Sequence, residues 1–570
     1  MVTKTRLALV SILALGAFLR FHHLNGYGLW SDEFVTLMIV GKASYGELIK
    51  TCFDVPQPLP PLYFLLNKLV FGFFTPSEAA LRLFSAISGF ATGYVLFALG
   101  KALSKTEIGL WSSLFFAVNS TQIVYAQNAR PYSFCLLLGS LSMLYFLRWL
   151  QKPSSRGWQA GYLLSTTLLF YTHYIFFPLL FVQNLYFLWT QRTRRAELAS
   201  KAAEQRSALQ QGQKGREFEK NPWMENASGS KGSVTYLAPP SKNCAARERE
   251  SLLKTWLCLQ ILIGSFLVPL YPQLWQLVQA RHGLNWERRY PGVGDFLMFV
   301  SLTPLLYSVG ISLLAGAARL FFRKFSGRAE SRRPGELNLE LFDSIVLASL
   351  WCGIPLTLFF LLAHSTGINL FVERYLICAS LPIFFLLPLL AFAFQSNLIA
   401  RTFLLSYLCL YVYWVPATYF IQKGEFSQGV PGGNEWRETL SELNRRDFEA
   451  PILLFQSPFI ESNQLGYASN PQLLDYLSAP LKSFYVKDSH RPVFLLPVHW
   501  WIDSPAHRAF KIEIMQLLET RTEFTLLSTQ EFWDSFEPWL RRESSGRIDW
   551  QTVRSFRSSG ALQLSKLQQK

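Results

Sequence analysis

"RYLICASLPIFFLLPLLAFA", residues 374–393, carries one charge, Arg374, at its first position, and none in the nineteen residues that follow. A helix crosses a hydrocarbon core with about 20 such residues. Working outward, comparable runs occupy 7–24, 80–99, 107–122, 132–150, 158–172, 174–190, 251–271, 297–318, 341–363 and 401–420. Together they predict about eleven spans. The composition agrees: half of the 570 residues are hydrophobic and only 16% are charged, against roughly 25% in a soluble globular chain. The mean hydropathy of +0.18 averages this apolar part with a polar remainder. A large soluble core does not call for repeated runs of helix length, so residues 1–420 read as an α-helical polytopic membrane domain. No small-residue cleavage site follows the first run, which is expected to stay as an anchoring helix.

The formal net charge is +16, yet the positive residues gather in loops. Lys4 and Arg6 precede the first run, Lys101 and Lys105 follow the second, and Arg148 and Lys152 follow the fourth. "QRTRRAEL" and "FFRKFSGRAESRRPG" follow the sixth and eighth, and Arg401 opens the last. With eleven spans all of these fall on one side, the pattern of cytoplasmic loops. The charge is therefore topological, with membrane lipids rather than nucleic acid as its partner. The N-terminus is expected in the cytoplasm, and the odd-numbered loops and the C-terminal region outside it. The seven cysteines show no disulfide or metal-ligand spacing.

Three segments stand apart from the spans. Loop 25–79 is rich in aromatic residues and proline and suits short interfacial helices. Segment 191–250 is charged and rich in Gln, Ser and Gly, and reads as a flexible cytoplasmic insertion. From 421 to 570, "APILLF" (450–455), "RPVFLLP" (491–497) and "EFTLLS" (523–528) predict buried strands between helix-compatible stretches. That pattern makes a small extracytoplasmic α/β domain.

Four polar clusters sit at the outer ends of the spans. "LWSDEF" (29–34) places Asp32 and Glu33 beside Trp30, although Ser31 or Asp32 can equally cap a helix. "YAQNARPYS" (125–133) supplies Gln127, Asn128, Arg130 and Tyr132, with snorkelling of Arg130 as the plainer reading. "YTHY" (171–174) supplies Tyr171 and His173. "ERYLICASLP" (373–382) begins with Glu373, Arg374 and Tyr375 near a helix N-terminus, where a guanidinium and free N–H groups favour phosphate. An acid facing arginines at one membrane face suits transfer of a sugar from a lipid phosphate. The phosphate is a good leaving group, so one carboxylate as general base suffices, with inversion at the anomeric carbon.

Taken together, "LWSDEF", "PLPPLYFLLNKL" (58–69), "SEAALRLFSAISG" (77–89), "YAQNARPYS", "YTHY", "ERYLICASLP" and "NEWRETLSEL" (434–443) resemble a known group. They are similar to the GT-C glycosyltransferases of the protein O-mannosyltransferase and lipid A aminoarabinose transferase superfamily, in particular bacterial family 39-like members. The resemblance implies an inverting hexosyl- or pentosyltransferase of a bacterial plasma membrane. Its donor would be an undecaprenyl- or dolichyl-phosphate sugar and its acceptor an extracytoplasmic protein, lipid or envelope glycan. It implies Asp32 as base with Glu33 as acidic companion, Arg374 on the donor phosphate, and Arg130 in the cluster lining the same cavity, where the residues themselves also make Arg130 a candidate for the phosphate. Trp30, Gln127, Asn128, Tyr132, Tyr171, His173, Glu373 and Tyr375 would line the cavity. Some relatives bind a divalent ion, for which Glu33 and His173 are the candidates here. Asn128 stands where the pattern commonly has Glu, which removes a charge from any such site. A transporter or flippase for a lipid-linked or anionic substrate is the alternative, although such proteins place polar groups near the bilayer midplane. A scaffold for envelope assembly is the third reading, and in it Asp32 and Arg374 would be dispensable.

Overall fold

The computed structural model describes residues 2–55, 58–193, 242–279, 341–366, 373–394, 397–413, 417, 420, 433–460, 473–487, 491–544 and 549–569. Most of segment 191–250 and all of the run 297–318 lie outside these residues.

The N-terminal part is a helical bundle. Helix α1 (Val2–Phe21) is followed by three short helices, α2 (Ser31–Val40), α3 (Tyr45–Asp54) and α4 (Leu62–Phe71). Next come α5 (Glu78–Leu103), α6 (Thr106–Val118), α7 (Ser120–Ala126), α8 (Tyr132–Gln151) and α9 (Arg156–Phe170). Helix α10 covers 178–193, and α11 (Lys242–Leu267) and α12 (Tyr271–Gln279) continue it. Then come α13 (Phe342–Thr366), α14 (Glu373–Leu376), α15 (Leu381–Phe394) and α16 (Asn397–Val412).

Helix α5 is the spine of the bundle, packed against α1, α6 and α8, and α15 leans on α6 and α13. Ser77 starts α5 by accepting the Ala80 N–H (3.2 Å), a side-chain cap. A Cβ on Gly100 would lie 2.6 Å from the Gly109 Cα, so only a small residue lets α5 and α6 cross there. A chain of polar side chains links α8, α9, α10 and α11. Tyr162 donates to Gln183 (3.1 Å), Gln260 donates to Tyr162 (3.1 Å), Gln183 donates to Ser142 (2.8 Å), and Ser142 pairs with Thr166 (2.7 Å). Bonds of this kind join helices in an apolar surround.

The expected span count is corrected. Among the described residues, four helices are long and apolar enough to cross a membrane: Glu78–Leu103, Tyr132–Gln151, Glu250–Gln279 and Phe342–Ser365. Local chemistry shortens others. The run 107–122 breaks at Asn119, whose side chain caps α7 by accepting the Gln122 N–H (3.1 Å), while its own amide donates to the Tyr411 hydroxyl (3.0 Å). The run 374–393 divides into α14, a 3-10 turn at Ile377–Ala379 and the 14-residue α15. At about 1.5 Å per residue, that last piece spans only about 21 Å.

The C-terminal part is α/β. Helix α17 (Gly433–Glu442) leads to strand β1 (Leu453–Gln456), then α18 (Leu474–Leu477), β2 (Val493–Leu496), α19 (Pro505–Glu519), β3 (Glu523–Thr529), α20 (Gln530–Ser544), β4 (Trp550–Arg557) and β5 (Leu562–Gln569). The sheet order is β2-β1-β3-β5-β4, parallel across β2, β1 and β3 and antiparallel from β3 onward. Alternation along the strands serves two cores. Leu454, Leu496 and Leu526 pack with Trp500, Phe532 and Phe536 under α19 and α20. Leu453, Phe455, Leu495 and Leu527 face the core shared with α17 and the helical bundle.

Candidate active site

The site begins where α2 begins. Trp30 is extended (φ −103°, ψ 173°), and its carbonyl accepts the Glu33 N–H (2.9 Å) and the Phe34 N–H (3.1 Å), closing the first turn. Neighbouring helical positions point about 100° apart, which sends Asp32 and Glu33 to different surroundings.

Glu33 is fully buried. Its oxygens take Arg82 Nε (2.8 Å) and Nη2 (2.6 Å) in a two-pronged pair, and Oε1 also accepts the Ala129 N–H (2.7 Å). Arg82 completes its donors on the carbonyls of Leu24 (2.9 Å), Tyr27 (2.8 Å) and Gly28 (2.9 Å). One arginine of α5 thereby fixes the whole approach to α2. Its signal was present in the sequence, because Arg82 is the sole charge in the apolar run 80–99, and a charge in such a run is rare without a task.

Asp32 keeps a 28% exposed side chain between two guanidiniums. Its Oδ2 lies 3.7 Å from Arg130 Nε and 3.9 Å from Arg374 Nη1. Both distances are too long for hydrogen bonds. Arg130 Nη1 bonds the Asp32 carbonyl (3.3 Å), while its buried Nε has no hydrogen-bond partner among the described residues. Burial alone would lower the Arg130 pKa, and the Asp32 carboxylate chiefly lifts it above its usual value. The trio carries a net positive charge in a sheltered place, which favours an anion.

The other expected residues separate into two groups. Tyr132 is buried, with its ring 6.0 Å from His173, and His173 lies 6.3 Å from Tyr375. Arg374 rests 5.4 Å over the Tyr375 ring. Burial first, then Arg130 and Arg374, push the His173 pKa down to about 3, so this imidazole is neutral at ordinary pH. These four line the arginine side of the site. Trp30 and Asn128 instead bond each other (Nε1 to Oδ1, 3.2 Å), and Gln127 donates to the carbonyls of Leu19 (3.2 Å) and His22 (2.8 Å) at the end of α1. The Tyr171 hydroxyl donates to the Phe266 carbonyl (2.9 Å). The Glu373 side chain lies outside the description.

The metal expectation finds no ligand set. Among the described residues no three His, Cys, Asp or Glu side chains come together as one. Glu33 is saturated by Arg82 and Ala129, and His173 Nδ1 accepts the Ile175 N–H (3.2 Å). Among the described residues, neither Glu33 nor His173 therefore stands in a ligand set for a divalent ion.

The C-terminal domain reaches the same loop, through Asn434, Trp436 and Arg437 of "NEWRETLSEL" and through Tyr485. Asn434 Oδ1 accepts the Gly28 N–H (3.0 Å), and the Tyr485 hydroxyl accepts the Leu29 N–H (2.9 Å) and donates to Glu78 (2.7 Å). Arg437 bonds Glu78 (3.0 Å) and the Asn25 carbonyl (2.8 Å). Phe34 meets Trp436 edge-on (5.7 Å), and Trp436 meets Phe455 of β1 (6.2 Å).

Comparison with known proteins places a family match on part of the chain. The profile of the family described as dolichyl-phosphate-mannose-protein mannosyltransferase matches residues 58–206. Among solved structures, the chain is similar to ArnT from Cupriavidus metallidurans bound to undecaprenyl phosphate, at 12% identity and a TM-score of 0.39, covering 99% of this chain and 98% of that one. Its apo form gives 13% identity and 0.37 over the same shares. The oligosaccharyltransferase of Archaeoglobus fulgidus in its apo form gives 11% identity and 0.44, covering 92% of this chain and 69% of that one. No curated protein matches the chain.

Proposed function

We propose that the chain is a GT-C-type membrane glycosyltransferase that moves a sugar from a polyprenyl-phosphate donor to an acceptor hydroxyl outside the cytoplasm. One observation carries the reading: Arg130 and Arg374, far apart in sequence, both stand within 4 Å of Asp32. The family match over residues 58–206 supports it.

In this reading the donor phosphate settles on Arg374 and on the unpartnered Nε of Arg130. The loose arginine contacts of Asp32 give way to the phosphate, which leaves the carboxylate facing the acceptor. The acceptor oxygen then attacks the anomeric carbon and the carbon–oxygen bond to phosphate breaks. The electron pair leaves on the polyprenyl phosphate, and the acceptor proton passes to Asp32. Neutral His173 and buried Tyr132 exclude water and shape the donor side. Glu33 holds the loop through Arg82 and takes no proton. The C-terminal domain and the loops of the site face the extracytoplasmic side, while Lys101, Lys105, Arg148, Lys152 and Arg401 face the cytoplasm with the N-terminus. A transporter needs a polar path through the bundle, and the Tyr162–Gln183–Gln260 network is instead bonded within itself.

Binding of undecaprenyl phosphate to the purified full chain tests the donor side. Arg374→Ala is expected to weaken it by about tenfold to a hundredfold, the scale of a charge-assisted contact. Unchanged affinity in that variant contradicts the phosphate assignment.

A further inference from the structure

We infer that Tyr476 of the C-terminal domain forms the acceptor wall of the Asp32 site, so that the domain is part of the active site rather than a cap over it; this rests on the transferase reading. Tyr476 lies in α18, which packs against α2, the helix that carries Asp32. The next segment, Ala479–Lys482, packs on α2 as well. Asp475, one residue earlier, clasps Lys42 just past the end of α2 (2.8 Å) and also Lys482. The Tyr476 ring packs against Phe459 with centroids 4.9 Å apart and planes tilted by 44°, in the loop that leaves the C-terminal end of β1. Ser457 in that loop donates to the Leu477 carbonyl (2.7 Å) and fixes α18 to the sheet. Crevices at the carboxyl ends of parallel strands are where α/β sheets present ligand-binding groups.

Around the trio, His173 feels Arg130 and Arg374, Tyr132 feels Asp32 as well as both arginines, and Tyr476 feels Asp32 and Arg130. Because α18 packs on α2, Tyr476 approaches the base from the C-terminal domain, whereas Arg374 approaches from the bundle. Burial, with Asp32 beside it, raises its pKa, so the phenol keeps its proton and can hold an acceptor hydroxyl by one hydrogen bond. No other group of the C-terminal domain described above enters the site in this way, since Asn434, Trp436, Arg437 and Tyr485 are engaged with the backbone, Phe34 and Glu78.

The test uses the full-length protein and Tyr476→Phe, which keeps the ring on Phe459 and removes only the hydroxyl. Two quantities are read: affinity for undecaprenyl phosphate, and the amount of bacterial envelope fraction giving half-maximal labelling from the radiolabelled undecaprenyl-phosphate sugar that the wild type turns over. Unchanged phosphate affinity with a rise in that amount of about fivefold, the size of one neutral hydrogen bond, supports the proposal. Tyr476→Ala is expected to raise it further. Unchanged half-saturation in both variants overturns it, as does a loss of phosphate affinity like that of Arg374→Ala. A wild type that neither binds undecaprenyl phosphate nor labels any acceptor overturns the transferase reading itself.

Discussion

Adjacent acids have opposite fates in this protein. Glu33 is an internal ion pair with Arg82, and Asp32 is a partly exposed carboxylate between two arginines. Removing one partner of a buried pair strands the other charge, at a cost of about 3–5 kcal/mol. Arg82→Ala is therefore expected to lower the thermal midpoint sharply or to prevent folding, whereas Asp32→Asn leaves the midpoint within a few degrees. A differential scan of both variants in one detergent checks the contrast, and equal destabilisation would remove the division of roles. The sequence shows that an acid pair sits at this turn, and the apolar run 80–99 exposes Arg82 as an oddity. It does not show which acid Arg82 takes, because that depends on how α2 rotates once Phe34 is buried against Trp436.

Among the elements, α2 joins the two parts of the chain: its side chains meet the bundle on one face and the C-terminal domain on the other. The clasp of Asp475 on Lys42 and Lys482 adds to this docking. Hydrogen bonds from both lysines hold the Asp475 pKa down to about 2, below the usual value of about 3.9. A lowered folded-state pKa means a contribution present above the unfolded value and lost as pH falls toward 2. Asp475→Asn should therefore lower the midpoint slightly at pH 6, and the difference from wild type should shrink between pH 4 and pH 2. The pair is half exposed, so the effect is small. A difference that persists unchanged at pH 2 contradicts an electrostatic clasp. Strands β1, β2 and β3 were legible from their apolar runs. The β4–β5 hairpin is barely legible: β4 is largely exposed and polar, and only the alternation "LQLSKLQ" of β5 marks it. The run 374–393 was legible as apolar and illegible as broken, because a 3-10 turn at Ile377–Ala379 leaves no trace in hydropathy.

Across the whole molecule, helix α5 separates two ends by about 39 Å over its 26 residues. Glu78 at its start touches Arg437 and Tyr485 of the C-terminal domain, while past its far end Lys105 pairs with Glu107 (3.3 Å), as does Arg401. The two ends are expected on opposite sides of the membrane. With Cys244 and the exposed Cys258 and Cys409 replaced, Lys487→Cys should react with an impermeant maleimide only from outside sealed cells, and Lys152→Cys only after the membrane is opened. Labelling of both from one side contradicts this topology. The sequence alone located the polar clusters at span ends, and only the fold shows that they converge and that the C-terminal domain joins them. The most direct measurement is sugar transfer by the purified full chain from radiolabelled undecaprenyl-phosphate sugars to an envelope fraction, with Asp32→Asn alongside the wild type. Labelled acceptor and released undecaprenyl phosphate are expected for the wild type, and transfer about a hundredfold to ten-thousandfold slower for Asp32→Asn, the scale of losing a general base, with undecaprenyl phosphate still bound. Transfer by Asp32→Asn at the wild-type rate would contradict Asp32 as the general base.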